Sequence, residues 1–94
     1  MANREHVKIL KQRVEVWNRW REEHPEIRPD LSEADFSFAN LSYVYLYDAN
    51  LNSVNLNNAC LNGANLNSAN LERANFSYAS LRGSSVARLT LRFL

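Results

Sequence analysis

The chain has 94 residues, enough for one small domain whose core supplies only modest stability. Eleven Lys and Arg nearly balance ten Asp and Glu, so the net charge of +1 gives no push toward nucleic acid, a membrane surface or acidic substrates. The single cysteine, Cys60, excludes an intramolecular disulfide. No apolar run approaches the roughly 18 residues of a spanning helix. The charged start lacks the apolar core of a secretory signal, so a cytoplasmic protein is expected.

In chain order, residues 3–23 read as one amphipathic helix. Val7, Leu10, Val14 and Trp17 recur at spacings of three and four, and Ile9, Val16 and Trp20 widen the stripe. Asn3 can cap its start. Pro25 and Pro29 end it, because proline offers no N–H and forces its predecessor out of the helical region. Residues 1–28 are therefore expected to be a capping helix and linker.

From residue 29 the period changes to five. Large apolar residues stand at Leu31, Phe36, Leu41, Leu46, Leu51, Leu56, Leu61, Leu66, Leu71, Phe76 and Leu81. Small ones stand three later, from Ala34 and Ala39 through Val44, Ala49 and Val54 to Ala79. A helix would smear this period around its surface. A flat strand would flip the large residue to the other face at each repeat, because five is odd. The chain must turn between repeats, and repeats that cannot bury their own apolar face stack on neighbours. The pattern degenerates after residue 83.

These residues resemble the pentapeptide-repeat family, and the helical lead-in is similar to that of small cyanobacterial members. The resemblance implies an all-β solenoid, a right-handed quadrilateral β-helix of about three coils with four repeats per coil and an N-terminal α-helix cap. Phe36, Leu56 and Phe76 would stack on one wall, and Leu31, Leu51, Leu71 and Leu91 on the next. The helix is expected to lie across the first coil through Val7, Leu10, Val14 and Trp17. Some family members mimic duplex DNA with an acidic surface and inhibit a type II topoisomerase. Here Asp30, Glu33, Asp35, Asp48 and Glu72 are nearly balanced by Arg73, Arg82, Arg88 and Arg92, which weighs against that alternative.

Candidate binding residues are the outward aromatics Phe38, Tyr43, Tyr45 and Tyr47. They form either an interaction surface or the seat of the helix. The asparagines flanking each large residue read as turn-capping side chains. His6 and His24 read as solvated, and Cys60 as an outward residue with nothing near it in sequence to lower its pKa. No catalytic set, metal-ligand set or phosphate loop is evident, so neither an enzyme nor a cofactor is expected. At the C-terminal end Leu89, Leu91, Phe93 and Leu94 are candidate contacts for a two-fold dimer, with Arg88 and Arg92 at its rim, within pairing range of Glu72 of either chain. The functional expectation is a non-enzymatic structural or protein-interaction module, with a protein partner or a second copy at the C-terminal end.

Overall fold

The computed structural model describes residues 2–92. It holds two helices, α1 (Arg4–Gln12) and α2 (Val14–Glu23), followed from residue 30 by stacked turns. The expected single helix is broken at Arg13, whose backbone is fully extended at φ 177° and ψ 164°. A straight helix over the same 20 residues would run about 30 Å. The two shorter extents of the whole molecule are 26 and 24 Å. The break keeps both halves of the stripe over the end of the column. Asn3 caps α1, its Oδ1 accepting from the N–H groups of Glu5 at 2.9 Å and His6 at 3.2 Å.

The repeat region overturns the expected all-β solenoid and quadrilateral β-helix. Among the described residues there is no β-strand and no sheet, and the only regular elements are the two helices. The physical reason lies in the period. Each repeat spends four residues on a turn, closed for example by Ala34 N–H donating to the Leu31 carbonyl at 3.1 Å. The third residue of each turn has positive φ, as at Glu33 (66°), Ser53 (60°) and Gly63 (71°). One residue per repeat remains for pairing, and a ladder needs consecutive ones. Pairing therefore takes the form of isolated parallel bridges between residues 20 apart, such as Asp30 with Asn50, Asp35 with Asn55 and Tyr45 with Asn65.

Four turns thus complete one coil, and three coils run over residues 31–50, 51–70 and 71–90. The large and small residues fill the axis. Leu31, Leu46, Leu51, Leu56, Leu61 and Leu66 are buried, with Val44, Ala49, Val54, Ala59, Ala64 and Ala69 between them. Each buried leucine contributes roughly 1.5–3 kcal/mol of apolar transfer. Asparagines secure the turns from outside. Oδ1 of Asn50, Asn55, Asn65, Asn70 and Asn75 each accepts the N–H two residues on. Burial fades in the third coil, where Leu81 is 38%, Val86 49% and the following Leu91 44% exposed.

Candidate functional site

A stack of coils has two ends, and each end coil lacks a neighbour for its peptide groups. At the first end the helices supply what a preceding coil would. Asp30 N–H donates to His6 Nδ1 at 3.0 Å, and the Asp30 carbonyl accepts from Asn3 N–H at 3.0 Å. The Asp35 carbonyl accepts from Lys11 Nζ at 2.8 Å. Tyr45 N–H donates to Asn18 Oδ1 at 2.8 Å, and its carbonyl accepts from Trp17 Nε1 at 2.8 Å and an Arg21 guanidinium nitrogen at 2.9 Å. The other Arg21 terminal nitrogen reaches the Tyr47 carbonyl at 2.8 Å. The guanidinium lies 3.8 Å from the centre of the Tyr47 ring. Arg21 is fully buried, and its Nε has no partner among the described residues. The wall at Asn40 receives no such bond among the described residues. The break at Arg13 lies beside it, over an open cleft of about 540 Å³.

This arrangement divides the four candidate aromatics. Tyr45 and Tyr47 are half-buried beneath Trp17 and Arg21, whereas Phe38 and Tyr43 stand 75% and 71% exposed. The Tyr43 ring lies over Gly63 in the coil below, so close that a Cβ there would sit 2.6 Å from it. Leu10 and Trp17 are buried in the core, and Val7 and Val14 pack partly buried against it. His6 is not simply solvated. Burial, with Arg21 nearby, lowers its pKa against the opposing pull of Asp30 and Glu5. Cys60 has a neighbour that the sequence order hides: Ser42 Oγ lies 3.1 Å from its Sγ and lowers the thiol pKa. Among the described residues no group of three or more His, Cys, Asp and Glu could hold a metal ion.

The far end is built differently. Its mouth is a small apolar cavity of about 70 Å³ lined by Leu71, Phe76, Leu81, Val86, Leu89 and Leu91. In the middle coil Leu61 and Leu66 donate their N–H groups to the carbonyls of Ser80 and Ser85. The corresponding N–H groups of Leu81 and Val86 have no partner among the described residues. Each turn of this last coil carries one long exposed side chain: Arg73, Tyr78, Arg82 and Arg88. Arg92 follows, its Nε 3.5 Å from Glu72 Oε2. Of the four dimer contacts read from the sequence, Leu89 is partly buried against the core and Leu91 is exposed. Phe93 and Leu94 lie outside the described residues.

The family model for pentapeptide repeats, in 8 copies, matches residues 30–67 and 61–88. The chain belongs to the pentapeptide-repeat family. What the resemblance implied for secondary structure is corrected by the two helices and by the absence of strands among the described residues. A crystal structure of a pentapeptide repeat protein, Rfr23 from the cyanobacterium Cyanothece 51142, is similar at 32% identity over 66% of this chain. The chain spans 53% of that protein, and the TM-score is 0.43. No curated protein matches the chain. No helix among the described residues is long and apolar enough to cross a membrane.

Within this pentapeptide-repeat chain, sequence reasoning missed the polar half of the first end: His6, Asn18, Arg21 and Lys11. The stripe that runs Val7, Leu10, Val14, Trp17 continues four residues on to Arg21, so the signal for its burial was present in the spacing. Asn18 and Lys11 carried no such signal, because their bonds run to backbone groups 24 and more residues away.

Proposed function

We propose that the chain is a non-enzymatic protein-interaction module whose binding face is the C-terminal end of the column. One observation carries the reading: an apolar mouth with exposed Leu81, Val86 and Leu91, bordered by the N–H groups of Leu81 and Val86, which have no partner among the described residues. Exposed apolar residues beside an open backbone edge are the chemistry of association. A filled axis supports the non-enzymatic part, because leucines and alanines occupy the interior where a substrate would need room. The acidic DNA-mimic alternative gains nothing from this face, whose one acid, Glu72, pairs with Arg92.

Photo-crosslinking in cells that express the protein tests the proposal. A benzoylphenylalanine replacing Val86 at the mouth is expected to give discrete protein adducts. The same group replacing Asn57 on the middle wall is expected to give none. Equal adduct patterns at both positions, or none at Val86, would overturn it. The adduct mass separates a second copy from a different protein.

A further inference from the structure

Along the column the charge is strongly polarised although the total is close to zero. The first coil carries Glu33, Asp35 and Asp48 and no base, a side-chain charge of −3. The middle coil, residues 51–70, carries no charged residue at all. From residue 71 to 92 there are four arginines against Glu72 alone, a net +3. These arginines are exposed and distributed around the mouth, one each on the turns at 71–74, 81–84 and 86–89 with Arg92 beyond them. Tyr78, 89% exposed, occupies the remaining turn. Arginine and tyrosine around an apolar centre is the composition of a protein interface.

That charge decides between occupants. A second copy meeting tail to tail would oppose +3 with +3, and the acid that could pair across the contact, Glu72, is already held by Arg92 of its own chain. A copy stacking head to tail would meet the helical cap, and residues 1–30 carry seven bases against six acids, so a near-neutral face, and not the −3 of the first coil beneath it, would lie against the arginines. Like charges at a contact are unfavourable, and opposed ones set both specificity and rate. The mouth itself is lined by aliphatic and aromatic side chains, and at about 70 Å³ it suits an apolar side chain and not a nucleotide sugar or phosphate.

Resting on the interaction-module reading above, we infer that the C-terminal end binds an acidic, extended segment of a different protein. An apolar side chain of that segment enters the mouth. Its backbone carbonyls accept from Leu81 and Val86 N–H, and flanking carboxylates meet Arg73, Arg82 and Arg88, while Arg92 keeps its pair with Glu72. Guanidinium groups suit carboxylates because two parallel N–H bonds fix each pair. The added strand-like segment takes the place of a further coil.

Fluorescence anisotropy with labelled peptides tests this on the whole chain. The probes are an alternating glutamate–leucine heptapeptide, its lysine–leucine counterpart and a short single-stranded DNA. The glutamate peptide is expected to bind saturably, at least about tenfold tighter than the lysine peptide, and to weaken as salt rises. Changing Arg73, Arg82, Arg88 and Arg92 together to Gln is expected to cost about tenfold or more. The matched change of Arg4, Lys8, Arg13 and Arg19 to Gln at the opposite end is expected to leave binding intact. Circular dichroism of both variants confirms that each is folded. Equal loss in the two variants, no preference for glutamate, or tighter binding of the DNA would overturn the inference. So would a wild-type dimer at micromolar concentration that Leu91→Lys dissociates. That last result would leave the interaction-module reading standing, whereas absent crosslinks at Val86 would remove that reading itself.

Discussion

At its two ends the column faces the same physical problem and handles it in opposite ways. Each end coil has backbone groups with no neighbouring coil and an axis that opens to water. At the first end the helices cover the axis with Leu10 and Trp17, and Asn3, His6, Lys11, Asn18 and Arg21 answer the backbone groups on three of the four walls. At the far end the described chain leaves Leu81 and Val86 N–H unanswered and the mouth lined by exposed leucine and valine. The comparison teaches that polar residues, and not the apolar stripe alone, close an end of this fold. A helix whose hydrogen-bonding groups are spent internally can cover apolar surface, but the peptide edge is reached by side chains and by the backbone N–H of the capping residue Asn3.

Trp17 is where this difference is largest. Its side chain is fully buried, and its Nε1 donates to the Tyr45 carbonyl. Trp17→Ala is expected to destabilise by about 3–5 kcal/mol, from lost burial and a cavity over the first coil. Leu91→Ala, at the exposed end, is expected to cost less than about 1 kcal/mol. Urea unfolding followed by circular dichroism measures both. Similar losses would mean that the far end is as well closed as the first.

Arg21 sharpens the same contrast among arginines. Removing it takes away two charge-assisted bonds to the Tyr45 and Tyr47 carbonyls and the stack on Tyr47. Arg21→Ala is expected to cost about 2–3 kcal/mol, and exposed Arg88→Ala to stay within about 0.5 kcal/mol. A small effect at Arg21 would show that water replaces its bonds readily and that the cap rests on Trp17 and Leu10 alone.

What was legible in the sequence follows from what repeats. The five-residue period marks the inward residues because each repeat places its leucine and alanine in the same environment, and Leu31 through Leu71 are buried accordingly. The strand content was not legible from the period alone. Four of the five residues are consumed by the turn, and one paired residue does not make a strand. Contacts made once are hidden for another reason. Ser42 meets Cys60 only because a 20-residue coil brings positions 18 apart together. His6 read as solvated, and Asn18 drew no reading, because nothing in their neighbourhood announces a peptide edge 24 or more residues away. The polarised charge was hidden by counting it over the whole chain, where −3 and +3 cancel.

Between the coils a smaller difference can be measured at two glycines. Gly63 and Gly83 occupy the same turn position one coil apart, with φ of 71° and 68°. Alanine in that conformation costs about 1–2 kcal/mol at either site. At Gly63 the new methyl also meets the Tyr43 ring, whereas at Gly83 it meets nothing within 4 Å. Gly63→Ala is therefore expected to be the more destabilising, and Tyr43→Ala to remove the excess. An equal cost in the presence of Tyr43 would place the ring away from Gly63.

The smallest expected effect is a pH dependence confined to the first end. Burial lowers the His6 pKa below the ordinary 6.5, and Arg21 lowers it further, while Asp30 and Glu5 pull the other way. The neutral ring is also the form that accepts the Asp30 N–H through Nδ1, a bond that protonation removes. The unfolded chain takes up its proton near 6.5, and the folded protein resists it to lower pH. In that interval the unfolded state binds more protons, so stability rises with pH and is lost as pH falls below about 6.5. The aspartates act lower. Burial raises Asp30, but bonds from Ser32 leave its pKa below the usual carboxylate value, and bonds from Ser37 do the same for Asp35. Their contribution is lost as pH falls from the ordinary carboxylate value through the lower folded one. His6→Gln keeps an acceptor and removes the titration. Its urea midpoint is therefore expected to change less than that of the wild type between pH 7.5 and 5.5. The far end has no histidine, so a fragment-free readout of the cap, tryptophan fluorescence from Trp17 and Trp20, is expected to report the same loss on acidification. Parallel pH profiles for wild type and variant would show that the Asp30–His6 bond does not hold the neutral ring.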